Sequence, residues 1–237
     1  MSGACGPAAP GRRGASGYYA RRLAGIRLRR CYEIAPPRVR RYLEAEIRHV
    51  LRRIGPEDDV LELGCGYGRV AMRLAAAARR VVGIDSAEES IALARQLAPP
   101  GCRCEFLVMD AYALAFRDRV FDAVVCVQNG VCAFGGDPEA LLREALRVTR
   151  RGGRVLLSTY AGRFWRHRLA WFEAQAAEGL VGPIDRGSSR DGVVACRDGF
   201  RSGRLGPEDL RALCRRIGAR GEVREVDGSS LFLEIRG

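Results

Sequence analysis

Short apolar runs recur between residues 55 and 160, and the segments between them have the spacing of helices. Asp59–Leu63, Arg80–Ile84, Glu105–Met109, Phe121–Val127 and Arg154–Tyr160 each read as a buried strand. Arg69–Ala78, a segment opening at Ser86, and Glu139–Thr149 read as helices. Ser86 is expected to cap its helix with Glu89 at the capping-box position, and Asp137-Pro138 to start the third. Strands alternating with helices require crossover connections, which predicts a mainly parallel sheet covered on both faces.

The flanks follow other patterns. Residues 1–17 are rich in Gly, Ala, Ser and Pro and read as a disordered tail. Residues 18–54 read as a helical leader interrupted at Pro36-Pro37, with Val39, Leu43, Ile47 and Val50 marking one apolar face. After the fifth strand come an aromatic-rich helix (Arg163–Ala177), a Gly-rich stretch (Gly179–Gly203) and a helix at Pro207–Ile217. Glu222–Val226 and Leu231–Ile235 then read as strands joined through Asp227-Gly228, a hairpin turn. The expected fold is α/β: a doubly wound, mostly parallel seven-stranded sheet with a C-terminal antiparallel hairpin strand and an N-terminal helical leader. The leader (18–54) is a candidate lid, residues 55–237 form the main domain, and 160–206 form an insert suited to substrate specificity.

Composition narrows the classes. At 47% apolar residues the chain has material for a core, which excludes wholesale disorder, and no apolar run reaches the ~20 residues of a membrane span. The net charge of +12 comes from arginine alone, since the sequence has no lysine. Residues 1–53 hold 13 arginines against Glu33, Glu44 and Glu46. Such a segment attracts nucleic acid, acidic lipid or an anionic substrate, or is a solvated helix face. Nine cysteines without a C-x-x-C pair point to free thiols in a reducing compartment, here the cytoplasm, and to no zinc ribbon. The acid-free, Arg-rich residues 1–32 also have the composition of a mitochondrial transit peptide.

The chemistry concentrates in Val60-Leu-Glu62-Leu-Gly64-Cys65-Gly66-Tyr-Gly68-Arg69. A buried strand enters a turn of alternating glycines, where a ligand can approach backbone with no Cβ in the way. Such a turn holds a small ligand at the carboxyl edge of a parallel sheet. Dinucleotide turns place a third glycine where this chain has Arg69. Asp85 ends the second strand, Asp110 the third, Phe121-Asp122 opens the fourth, and Arg151-Gly152-Gly153 precedes the fifth.

In that order the motifs resemble class I, Rossmann-like S-adenosylmethionine (SAM)-dependent methyltransferases, well over residues 56–160 and loosely at the two last strands. The resemblance implies SAM as methyl donor, with Glu62, Gly64, Cys65, Gly66, Gly68, Asp85, Ser86, Asp110, Ala111 and Gln128 around it. Asp85 would hold the ribose diol, Asp110 and the Ala111 N–H the adenine, and Glu62 the amino-acid end. Gln128 and Asn129 would face the reacting methyl. Transfer needs in-line alignment, and a base only where the acceptor must lose a proton; Asn129, His167 and Tyr19 are the candidates. Tyr18 and Tyr32 are further candidate lining residues.

A small-molecule acceptor is favoured, with Tyr160, Phe164, Trp165, Trp171 and Phe172 as a candidate apolar lid and Arg163, Arg166 and Arg168 as candidate anion contacts. The alternatives are an RNA or DNA methyltransferase, a metalloid methyltransferase using Cys31, Cys126 or Cys132 and Cys196, and a non-catalytic SAM-binding module. Val127-Gln128-Asn129-Gly130 lacks the Asn/Asp-Pro-Pro-aromatic element of base-amine methyltransferases. No metal is expected, no membrane contact, and no oligomeric state follows from the sequence.

Overall fold

The computed structural model of the protein describes residues 16–237. Its strands in chain order are β1 (Asp59–Leu63), β2 (Arg80–Asp85), β3 (Cys104–Val108), β4 (Phe121–Cys126), β5 (Thr149–Tyr160), β6 (Val194–Ala195), β7 (Arg201–Ser202), β8 (Gly221–Val226) and β9 (Ser230–Arg236). Seven form one sheet in the order β3-β2-β1-β4-β5-β9-β8. Strands β1 to β5 run parallel, and β9 runs antiparallel to both β5 and β8. The expected doubly wound sheet and C-terminal hairpin are therefore present.

Period-two alternation explains the burial. Leu61 and Leu63 of β1, with Val82, Ile84, Val124 and Val155, join one core that also takes Leu141 and Leu142 of α7 (Pro138–Val148). Val60, Val81, Ala123 and Val125 join the core on the opposite face, with Ile47 and Val50 of α3 (Pro37–Leu51), Leu74 of α4 (Ala71–Leu74) and Ile91 of α5 (Glu88–Leu97). Glu62 shares the face of Val60, so a carboxylate enters the second core. All five residues of β1 are buried, as a strand with helices on both faces must be.

The leader forms α1 (Ser16–Arg22), α2 (Gly25–Glu33) and α3. Residues 16 and 17, expected in the tail, begin α1; the rest of that tail lies outside the described residues. His49 Nε2 and Arg53 meet the Glu234 carboxylate at 2.9 and 2.7 Å, fixing α3 to β9. After β5, a 3₁₀ turn (Gly162–Phe164) leads into α8 (Trp165–Ala177), and the Gly-rich stretch folds back through the small β6–β7 ribbon. The ribbon is held by Arg168, whose guanidinium donates to the carbonyls of Gly192 and Ser202 at 2.8 and 2.6 Å. The last helix, α9 (Pro207–Ile217), ends at Gly218 with φ 70°, the left-handed stop that glycine supplies.

Two local expectations are corrected. The helix expected over Arg69–Ala78 is regular only at Ala71–Leu74, because bonds such as Arg73 N–H to Val70 and Ala77 N–H to Leu74 tighten both ends into turns. Ser86 does not cap α5. The Asp85 carboxylate accepts from the Ala87 N–H at 2.9 Å, and α5 starts behind Ala87 with no side-chain cap.

Candidate functional site

The carboxyl ends of β1, β2, β3 and β4, joined by the leader and α8, enclose a cavity of about 480 Å³. That falls within the range of ~300–1,000 Å³ usual for small-ligand sites. The sheet order divides its wall. Tips of β1, β2 and β3 supply one end, with the glycine turn, Asp85, Ser86, Asp110 and Ala111. The leader, β5 and α8 supply the other, with Tyr19, Tyr32, Tyr160, Trp171 and Phe172.

The turn is built by backbone bonds. Cys65 N–H donates to the Ile84 carbonyl at 2.8 Å, and Gly66 N–H to Asp85 Oδ2 at 2.9 Å. Asp85 thus accepts one backbone bond on each oxygen, and burial raises its pKa despite them. Gly66 has φ 54°, and a Cβ there would stand 2.7 Å from Leu28 of α2. Leader and turn are therefore in close contact. Asp110 is exposed at the rim and accepts from the Tyr112 N–H at 2.9 Å, a turn contact that leaves the other oxygen available.

An acidic and a basic side chain in this cavity stay apart. Glu62 is 3% exposed, its Oε2 has no hydrogen-bond partner, and burial pushes its carboxyl up to about 8 against the pull of Arg69. Arg69 lies 4.7 Å over the Tyr32 ring, and its Nη2 is also buried without a partner. The pair makes no ion pair within 4.0 Å, although both residues line the cavity. An unpaired buried ionic group is costly. The two therefore fit a ligand that brings an ammonium to one and a carboxylate to the other.

At the tip of β4, just before the short α6 (Gly130–Ala133), Gln128 and Asn129 both take left-handed backbone, with φ 58° and 65°. Strain of this kind persists where neighbours over-determine it. Gln128 N–H is held by Glu46 Oε2 and Ser158 Oγ, each at 2.9 Å, and its Nε2 is left without a partner. Glu46, fully buried on α3, carries a carboxyl pushed up by burial to about 7.

Of the residues anticipated from the sequence, Glu62, Gly64, Cys65, Gly66, Asp85, Ser86, Asp110, Ala111, Gln128, Tyr19 and Tyr32 line this one cavity. Others do not. A Cβ at Gly68 would meet Phe106 at 2.8 Å, so that glycine serves packing against β3. Asn129 is turned away: its Oδ1 accepts from Thr159 Oγ1 at 2.8 Å and its Nδ2 donates to the Gly203 carbonyl at 3.1 Å. His167 is exposed on the outer side of α8. Tyr18 is bound to Asp198 at 2.6 Å, and Phe164 packs on Tyr42 and Tyr160. Trp165 packs with the leader cluster instead of the cavity wall. Arg163 pairs with Glu225 at 3.2 Å, Arg166 is exposed, and Arg168 is buried behind Tyr160. Cys31 does line the cavity but shares a core cluster with Cys196, whereas Cys126 lies in another, and no metal-holding group of three ligands occurs among the described residues. Arg69 and Glu46 were not anticipated as site residues. The first shows in sequence only as a missing third glycine, and the second as one more helical glutamate.

The methyltransferase-domain family matches residues 60–153. Over 134 residues the chain is 31% identical to the 2-methyl-6-phytyl-1,4-hydroquinone methyltransferase of Synechocystis sp., covering 53% of this chain and 42% of that protein. It is 29% identical over 173 residues to the ubiquinone biosynthesis O-methyltransferase of Aromatoleum aromaticum, covering 72% of this chain and 67% of that protein. The chain spans about half the length, or less, of most curated relatives it matches. A crystal structure of a DhpI-SAM-HEP complex superposes with TM-score 0.64 at 22% identity, covering 93% of this chain and 95% of that one. Residues 60–153 thus match a methyltransferase domain, and the chain shares the Rossmann-like fold of solved SAM-dependent methyltransferase structures.

Proposed function

We propose that the protein transfers the methyl group of SAM to a small organic acceptor. The observation that carries the reading is the separated pair Glu62 and Arg69, each with a buried atom lacking a partner. SAM has an α-ammonium and an α-carboxylate on one carbon and answers both; a nicotinamide dinucleotide has no such group. When bound, SAM supplies an already activated methyl. Asp85, with both oxygens steadied by backbone N–H groups, has lone pairs left for a ribose diol. Asp110 and the Ala111 N–H suit the adenine edge, and the Gly64–Gly66 backbone, Ser86 and Gln128 complete that end.

The leader (18–54) and the insert (160–206) then form an acceptor chamber of aromatic faces that excludes water. Relatives named for hydroquinone and ubiquinone-pathway methylation support a small acceptor over RNA or DNA. The buried free thiols Cys31, Cys65, Cys126, Cys196 and Cys214 support a cytoplasmic setting. No described helix is long and apolar enough to cross a membrane. The test is a metabolite panel incubated with methyl-labelled SAM, with bulk tRNA and DNA as parallel samples. Label in a low-molecular-weight product is expected. Label confined to nucleic acid overturns the small-acceptor reading.

A further inference from the structure

Arg168 follows His167 on α8 but points inward and is 1% exposed. Its Nη atoms donate to the carbonyls of Gly192, Ser202 and Gly203 and to the Ser202 hydroxyl, while Nε is buried without a partner. Among the described residues no carboxylate pairs with it, and burial draws its pKa down. The guanidinium lies 4.2 Å over the Tyr160 ring and 5.8 Å from the Phe172 centroid. Both rings line the acceptor end of the cavity. A full positive charge therefore stands one aromatic ring behind that wall.

The charges can be counted if SAM is the donor, a reading on which this inference depends. Its ammonium meets Glu62 and its carboxylate meets Arg69. The sulfonium and Arg168 remain, two positive charges with no ionised carboxylate on the wall of that end; Glu46, set behind the β4 tip, has its Oε2 held by the Gln128 N–H and its charge disfavoured by burial. The acids lining the cavity, Glu62, Asp85 and Asp110, all sit at the other end, and no histidine lines it. Burial holds the Tyr160 hydroxyl and the Cys31 thiol near 12, so neither takes a proton close to neutrality.

We infer that the acceptor is a planar ring compound bound as an oxyanion, an ionised phenol- or enol-type hydroxyl, which Arg168 selects through Tyr160. The faces of Tyr19, Tyr32, Tyr160, Trp171 and Phe172 suit a flat ring, and the unpartnered Gln128 Nε2 is a donor for its oxygen. The proton leaves to bulk water before binding. In the transfer itself the oxyanion lone pair forms the O–C bond while the C–S pair returns to sulfur, so the site needs no base. Arg168 is a positioning charge and touches no reacting atom.

The test uses the full-length protein saturated with S-adenosylhomocysteine and a nitrophenol whose ionised form absorbs in the visible. The nitrophenolate should bind at least ten-fold more tightly than the corresponding nitroanisole, and its pKa should fall by about one unit on binding. Arg168→Met should abolish most of that fall and Arg168→Lys should retain it, with S-adenosylhomocysteine affinity unchanged. If Arg168→Met does not fold, the ten-fold preference and the pKa fall in the unmodified protein decide alone. Equal binding of the anisole, an unshifted pKa, a preference for benzoate or methylphosphonate, or no ring probe bound to loaded protein overturns the inference. Failure to bind S-adenosylhomocysteine instead overturns the donor reading beneath it.

Discussion

Replacing Glu62 with glutamine should make the empty protein more stable at alkaline pH and the donor complex weaker. Burial raises the Glu62 carboxyl to about 8 from the 4.5 of a free glutamate side chain. Between those values the native state holds a proton that the unfolded chain has lost, so stability falls as pH rises, by ~1.4 kcal/mol per unit. Across the window this amounts to about 5 kcal/mol, present in full below the unfolded pKa and lost as pH climbs through the folded one. Glu62→Gln removes that slope and leaves the parallel, smaller one from Glu46, which burial raises to about 7. For binding the sign reverses. The donor's ammonium needs an ionised Glu62, so at pH 6–7 about one proton is released per molecule bound. Losing a charge-assisted bond at this position costs about 2–3 kcal/mol, a roughly 30- to 150-fold weaker Kd. Denaturant unfolding from pH 5 to 9 reads the first effect; calorimetry in buffers of different ionisation enthalpy reads the second. An unchanged slope in Glu62→Gln, or an unchanged affinity with no proton release in the parent protein, would refute the reasoning.

Three further outcomes follow from the same geometry. Asp85→Ala removes the acceptor for the Gly66 and Ala87 N–H groups and for the diol, so donor affinity should drop about 100-fold or more and stability by ~1–3 kcal/mol, read by calorimetry and thermal unfolding. Asn129→Ala should cost ~2–3 kcal/mol of stability through one buried and one part-buried hydrogen bond while donor affinity stays within about two-fold, and a selective loss of turnover at full stability would restore Asn129 to the chemistry. His167→Ala, on an exposed face, should leave both stability and the pH–rate profile unchanged; a lost ionisation in that profile would place a base on α8 after all.

What could be read in the sequence was what local pattern encodes. Strands β1, β2 and β4 are apolar over most of their length because both faces are covered, whereas β3, at the sheet edge, buries only Phe106; Asp85 and Asp110 mark the carboxyl ends of β2 and β3. The β6–β7 ribbon escaped because a two-residue strand shows no period, and its main tie, Arg168, reads in sequence as surface charge. The face of α8 was equally hidden: its buried residues are Arg168, Trp171, Phe172 and Gln175, so half of the inner face is polar. That is why His167 and Arg168, adjacent in sequence, exchange the roles their types suggest. Asn129 lost its expected role to partners 30 and 74 residues away, which no local motif reveals. Glu46 reaches the β4 tip across 82 residues, and Arg69 gains meaning only once Glu62 is seen to stand unpaired beside it.

The most direct test of the account is a calorimetric titration of the protein with SAM, S-adenosylhomocysteine, adenosine and NAD, repeated on Arg69→Met. Both sulfur compounds should bind at one site, adenosine far more weakly, NAD not at all, and Arg69→Met should cost the sulfur compounds at least ten-fold while leaving adenosine unchanged. Binding of NAD without SAM, or equal affinity for adenosine and S-adenosylhomocysteine, would contradict a cavity built around an amino-acid zwitterion.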